Sequence, residues 1–223
     1  MGIMGHHGDK AREALLDAAE ELFAIHGVDA VSNRKIAEHV GTHNHSAVAY
    51  HFGNRDELIR ALLERHLHSM QGRRNELLAD LPEDAGLREV IACRILPWVE
   101  QLAAMPQPSW RAQFLYQVRS VPSAAKVLAS SFETNDGFDE LFLRMRDSLS
   151  NISQPILRAR ASVLGHLALG ICAEFEAALQ AGTQHGNWTS VGYFLIDAGA
   201  GMLAAPVTHS EDFLSPPTIP SLI

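Results

Sequence analysis

Between Ser32 and Arg55 the chain gathers side chains that bind anions and hydrogen-bond to flat heterocycles: Ser32, Asn33, Arg34, His43, Asn44, His45, Ser46, Ala49, Tyr50, His51, Asn54 and Arg55. Ser32-Asn33 and Asn54-Arg55 each stand where a helix should begin, so unpaired backbone N–H groups, short polar side chains and a cation meet there, as at a phosphate site. His45, Ser46, Ala49, Tyr50 and His51 are small or hydrogen-bonding, and Val48 and Phe52 share the opposite face at i and i+4. Such residues suit close approach to base edges and phosphates, and the partner they point to is double-stranded DNA.

Other chemistries have less behind them. His43-x-His45 and His66-x-His68 bring imidazoles close in sequence, but neither pair has the i, i+4 spacing that sets two rings on one helical face, and no Cys lies near. No metal and no cofactor is expected. The sequence has no glycine-rich phosphate loop, no Gly-x-Ser-x-Gly elbow and no HExxH, so no catalytic residue is assigned and the chain is not read as an enzyme. The alternative is a helical small-molecule- or metal-binding protein, or an enzyme, that does not act on DNA.

A net charge of −8 opposes nucleic-acid binding when spread over the whole chain, because affinity comes largely from cations that displace phosphate counterions. Locally the balance reverses. Residues 30–55 hold Arg34, Lys35 and Arg55 against Glu38 alone, and His39, His43, His45 and His51 donate hydrogen bonds even when neutral. With 223 residues, 47% of them apolar, the chain can bury a real core. It lacks an uninterrupted apolar run of membrane-spanning length, and MGIMGHHGDK has neither the basic start nor the apolar run of a secretion signal, so a cytoplasmic protein with no membrane partner is expected. Cys93 and Cys172 read as core thiols.

The elements that must position the polar stretch follow from periodicity. Leu15, Ala18, Ala19, Leu22 and Phe23 form one stripe of a helix over 10–26, closed by Gly27. Ser32 caps a second, short helix carrying Ile36, Ala37 and Val40 and ended by Gly41; Asn44 is the expected cap of a third, ended by Gly53; Asn54 caps a long fourth helix over 54–79. Further helices are expected near 85–104, 108–119, 122–133, 137–150, 154–181 and 189–205, with Pro97 kinking or breaking the first of them. The fold class is all-α, about nine or ten helices with no strand pattern. The domains read as a flexible N-terminus over 1–9, a three-helix helix-turn-helix domain over 10–56, a larger helical domain over 57–205 linked through 54–79, and a Pro-rich tail over 206–223.

From Arg12 to His66 the sequence resembles the DNA-binding domain of TetR/AcrR-type regulators, in SNRKIAEHVG and then AVAYHFGNRDELIRALLE. The most specific part is Tyr50-His51-Phe52-Gly53 followed by Asn54-Arg55-Asp56-Glu57-Leu58. The resemblance implies phosphate contacts from Tyr50, His51 and Arg55, and places His45, Ser46 and Ala49 nearest the bases. The turn departs from the pattern: Gly41 to Phe52 is one residue longer than the commonest version, and HNHSA replaces a serine-lysine-glycine-threonine-like run.

The same resemblance implies that the larger half is a ligand-binding and dimerisation domain, with a palindromic operator bound by a homodimer and released by a small organic effector. Candidate pocket residues are Trp98, Trp110, Gln113, Phe114, Tyr116, Arg119, Phe138, Phe142 and Met145, aromatic or sulfur-bearing walls with few polar groups; Arg119 could instead pair with Glu100 or Asp136. Candidate dimer residues are Leu164, Leu167, Ile171, Phe175, Leu195, Ala198, Met202 and Ala205, on helices that also offer Val163 and Gly201. These stripes read equally as one subunit's core.

Overall fold

A computed structural model describes residues 3–132 and 143–208, and every element in them is an α-helix. In chain order these are α1 (Ile3–His26), α2 (Asn33–His39), α3 (Ala47–Phe52), α4 (Arg55–Ala79), α5 (Leu87–Ala104), α6 (Arg111–Ser120), α7 (Pro122–Phe132), α8 over residues 143–148, α9 (Gln154–Gln180) and α10 (Trp188–Ala204). The start of the helix expected over 137–150, with Phe138, Phe142 and Asp136, and the tail after residue 208 lie outside the described residues.

Two boundaries differ from expectation. α1 is already helical at Ile3, inside the segment expected to be a loose end; Gly5 and Gly8 weaken a helix by about 1 kcal/mol each without stopping it. α5 runs through Pro97 unbroken. Pro97 costs about 3 kcal/mol in a helix interior, and the burial of Ile95, Trp98, Val99 and Leu102 around it, at about 2 kcal/mol per side chain, outweighs that.

One apolar core runs from α1 to α10, so the helix-turn-helix unit and the larger half are not separated by a solvated gap. α6 is the shared element, packing against α1 on one side and α9 on the other. Phe114 of α6 stacks on Phe23 of α1 with ring centroids 6.1 Å apart, both fully buried. α10 lies along α5 at a distance only glycine permits at one point, since a Cβ at Gly192 would stand 2.7 Å from a Val99 methyl carbon.

A buried ion pair reinforces the junction. The Nη1 of Arg111 donates to Glu20 Oε1 of α1 at 3.3 Å and to the Leu62 carbonyl of α4 at 2.9 Å, and its side chain is 1% exposed. Burial lowers its pKa, opposed by the Glu20 carboxylate. Arg65 holds the outer rim of the same joint, reaching Asp17 at 2.7 Å and Glu13 at 3.2 Å. Arg111→Met removes the cation facing Glu20 and should destabilise the protein by about 3 kcal/mol, read from urea midpoints. Arg111→Met combined with Glu20→Leu should recover at least half of that loss; a single-variant cost near zero would contradict the pair's role.

Candidate nucleic-acid interface

The second helix starts as expected. Ser32 Oγ accepts from the Lys35 N–H at 3.1 Å, and Ile36 and Ala37 turn into the core, which leaves Arg34, Lys35 and Glu38 outside. The corner that follows is a Schellman motif: the Gly41 N–H donates to the Glu38 carbonyl at 3.0 Å and the Thr42 N–H to the Ala37 carbonyl at 3.2 Å. Gly41 sits at φ 74°, where a side chain would be strained.

The turn is longer than the sequence suggests. Asn44 does not cap α3 itself; its Oδ1 accepts from the Ser46 N–H at 3.0 Å and its carbonyl from the Ala47 N–H at 3.0 Å, forming a separate turn before the helix. α3 therefore begins at Ala47 with Ser46 as its N-cap residue, and spans six residues. The extra residue between Gly41 and Phe52 is absorbed here, because an Asn side chain readily closes such a turn on its own backbone.

Ala47, Val48 and Phe52 are buried, and the rest of this unit's outer side is open. His43, Asn44, His45, Ser46 and Ala49 are exposed, and Tyr50 is 82% exposed, an unusual setting for a large ring with no role. His51 is half-buried and stands edge-on to Tyr50 at 5.0 Å. Arg34 and Lys35 flank this surface from α2; Arg34 Nε reaches Glu38 Oε1 at 2.7 Å and His45 Nδ1 lies 4.0 Å from the same oxygen. The Arg34–Glu38 pair is exposed, so a phosphate can take the cation from Glu38 at little cost.

Arg55 corrects the sequence reading. Its guanidinium points into the unit, donating to the Val28 carbonyl and to Asn33 Oδ1 at 3.4 Å, and it lies over the Phe23 ring at 4.3 Å. The loop between α1 and α2 leaves a carbonyl facing α4, and the arginine fork satisfies it while stacking on an aromatic face. Burial lowers its pKa. Asn33 is committed inward by the same bond. Nor is the start of α4 open to phosphate: Asn54 Oδ1 accepts from the Glu57 N–H at 3.0 Å, and Asp56 and Glu57 already place carboxylates on that dipole. Two cations outside the candidate set belong to this surface or its edge: Lys35, which the local charge balance had counted, and Arg12, which lies over the Phe52 ring at 5.0 Å.

The candidate pocket residues that are described occupy several places. Trp98, Phe114 and Met145 are core, with the Trp98 indole N–H on Cys172 Sγ at 3.3 Å. Tyr116 is 45% exposed. Trp110 lines an open cleft of about 570 Å³ between α1, α4 and the loop after α5. Gln113 sits at the start of α6 beside Glu176 of α9, a 1% exposed carboxylate that accepts from Ser109 Oγ at 2.7 Å and from the Gln113 and Ala112 N–H groups at 3.0 and 3.3 Å. Glu176 thus caps α6 from another helix, a role its own segment does not signal. Arg119 does not pair with Glu100, which takes Arg73 at 2.9 Å; its Nη2 reaches Ser162 and His166 of α9. Among the described residues no three His, Cys, Asp or Glu side chains come together as metal ligands.

Of the candidate dimer residues, Leu164, Phe175 and Leu195 belong to this chain's own core: Leu164 packs against Gly199 and Phe175 against the Trp188 ring at 4.8 Å. Leu167 and Ala198 face outward, and Ile171, Met202 and Ala205 are half-buried. Val163 and Leu167 of α9 and Tyr193 and Phe194 of α10 are exposed large apolar residues. α9 is long and apolar enough to cross a membrane by length and composition, and half of that window is buried in the bundle.

Arg55→Ala should destabilise the protein by about 2 kcal/mol through the lost carbonyl bond and ring contact, and leave the salt dependence of DNA binding unchanged in slope. Lys35→Ala should do the reverse, lowering the slope by about one with no change in unfolding midpoint. Titrations at several salt concentrations beside urea melts separate them, and a slope lost with Arg55 would restore it to the phosphate side.

Residues 15–62 match the family model of bacterial regulatory proteins, tetR family, and no curated protein matches the chain at a significant level. The match covers α2, α3 and the parts of α1 and α4 that hold them, and the remainder is helical as far as it is described. The match makes residues 15–62 a DNA-binding domain of the tetR-family kind, and it supports a DNA-binding transcriptional regulator.

Proposed function

We propose that the protein is a ligand-responsive repressor, acting in the cytoplasm as a homodimer on a palindromic operator and released by a small organic effector. The observation that carries this reading is the joint at α6, which ties a DNA-reading surface to the body of the larger half through buried polar contacts. The outer face of α3, with His45, Ser46, Ala49, Tyr50 and the flanking Arg34 and Lys35, enters the major groove; Ser32, His43, Asn44 and His51 border it.

The dimer is supported by the apolar residues left uncovered on adjacent helices. Val163 and Leu167 of α9 are 50% and 48% exposed, and Tyr193 and Phe194 of α10 are 58% and 59% exposed. A second copy covers them across a two-fold axis, with Ala198 and Gly201 allowing the helices to approach. Two-fold symmetry then sets the two reading heads for half-sites about 34–36 Å apart.

Release follows from the way α6 is held. Glu176 fixes its N-terminus to α9, and Arg111 in its first turn grips Glu20 of α1 and the Leu62 carbonyl of α4. An effector that binds better when α6 is shifted also favours displaced α1 and α4, and so heads out of register with successive grooves.

A retardation assay with the DNA upstream of the protein's own gene tests this. The full chain should shift that fragment and not an unrelated one of equal length, and in sedimentation equilibrium it should be a dimer. Phe194→Glu should yield a folded monomer whose operator affinity falls by at least about tenfold, because half the contacts of a two-head complex are lost. A dimer unaffected by that substitution would overturn the assigned interface.

A further inference from the structure

Much of the reading face's capacity for positive charge is held in imidazoles. His43 and His45 are exposed in the turn before α3 and His51 is half-buried on α3, beside the exposed Arg34 and Lys35 of α2. Arg55 is engaged inside the unit. Lysine and arginine keep their charge throughout the physiological range, whereas a histidine gains its charge as the pH falls from about 8 to about 5. A face assembled from both kinds of side chain therefore grows more cationic on mild acidification.

One carboxylate singles out His45. Glu38 shares a face of α2 with Arg34, and its Oε1 serves two neighbours: Arg34 Nε donates to it at 2.7 Å, and His45 Nδ1 lies 4.0 Å away. The hydrogen bond from Arg34 holds the Glu38 carboxyl below its ordinary pKa, and the nearness of His45 acts in the same direction. When Arg34 turns to a phosphate, Glu38 is left as a negative charge on a face that meets a polyanion, and like charges repel. A neutral imidazole does not offset that charge; a protonated one does, and His45 is near enough to reach it by a side-chain rotation. The other charged or titratable groups of this outer side are Lys35, a fixed cation, His43 in the same turn, and His51, which stands against the Tyr50 ring at 5.0 Å. His39 of α2 is engaged by Glu21 of α1 at 3.3 Å, and Arg12 of α1 lies over Phe52.

We propose that DNA binding takes up a proton on the reading face: His45, once protonated, replaces Arg34 at Glu38 and frees the arginine for a phosphate. This rests on the reading of the outer side of α3 as the surface that meets DNA. The complex then holds more protons than the separate partners, so affinity rises as the pH falls through neutrality and is lost as it climbs toward about 8. Proton and DNA each favour the binding of the other.

Fluorescence anisotropy of the DNA upstream of the protein's own gene, titrated with the full chain at about pH 8, 7 and 6 and constant ionic strength, tests the inference. Affinity should rise at least about fivefold from the highest pH to the lowest, the effect of one imidazole that gains a proton on binding. His45→Gln keeps a hydrogen-bonding side chain that cannot titrate, and should cut the rise to less than about twofold whatever its affinity at any one pH. Glu38→Gln removes the charge to be offset, and should bind more tightly than the unaltered protein at the highest pH and respond as little to acid. Both side chains are exposed, and urea midpoints check that the variants fold. A rise that survives either substitution undiminished overturns the inference. Binding at every pH with a flat profile defeats this inference alone; no binding at any pH defeats the regulator reading and this inference with it.

Discussion

Burial of Val48 and Phe52 beneath α1, α2 and α4 holds in place a helix too short to persist on its own, since a single turn repays little of the cost of nucleating it. Every exposed group on α3 owes its position to those two side chains and to the glycine corner before them. The surface is consequently rigid where it matters: Gly41 fixes the direction of exit from α2, the Asn44 turn takes up the added residue, and Gly53 closes the helix before α4 begins. Side chains need not be strongly basic to read DNA if the backbone delivers them to the groove in one orientation, and this explains how a chain of net charge −8 can carry a reading head.

The same core continues into the larger half, so the reading head cannot move independently of it. Phe114 on Phe23 and Arg111 on Glu20 and Leu62 make α6 a strut between α9 and the first helix. Burying a cation at such a joint gives a discrete arrangement rather than a sliding one, because a guanidinium removed from its partners inside protein is costly. An apolar contact alone would tolerate small displacements; the ion pair and the carbonyl bond do not. Glu176 applies the same principle at the other end of the strut, with a carboxylate that burial pushes up in pKa against the opposing pull of its donors from Gln113, Ser109 and Ala112.

The helices and their order were legible in the sequence because their apolar periods are strong and their stops are marked by Gly27, Gly41, Gly53 and the prolines. Ser32 and Asn54 were legible as caps because capping is local, decided within three residues. What sequence could not supply is direction across space. Arg55 has the composition of a phosphate ligand and turns inward because a carbonyl twenty-seven residues earlier faces it. Leu164, Phe175 and Leu195 have the right period for an interface and lie one step round the helix from the exposed face, since periodicity gives a stripe but not which neighbour covers it. Nothing within their own segments marks Glu176 and Arg111, because their partners meet them only once α6 is packed against α9, α1 and α4.

Chemical footprinting of the full chain on the DNA upstream of its own gene bears most directly on the account. It predicts two protected patches related by a dyad, on one face of the duplex and about one helical turn apart, with methylation of guanine N7 in the major groove blocking binding. Protection confined to the minor groove, or binding indifferent to major-groove methylation, would contradict it.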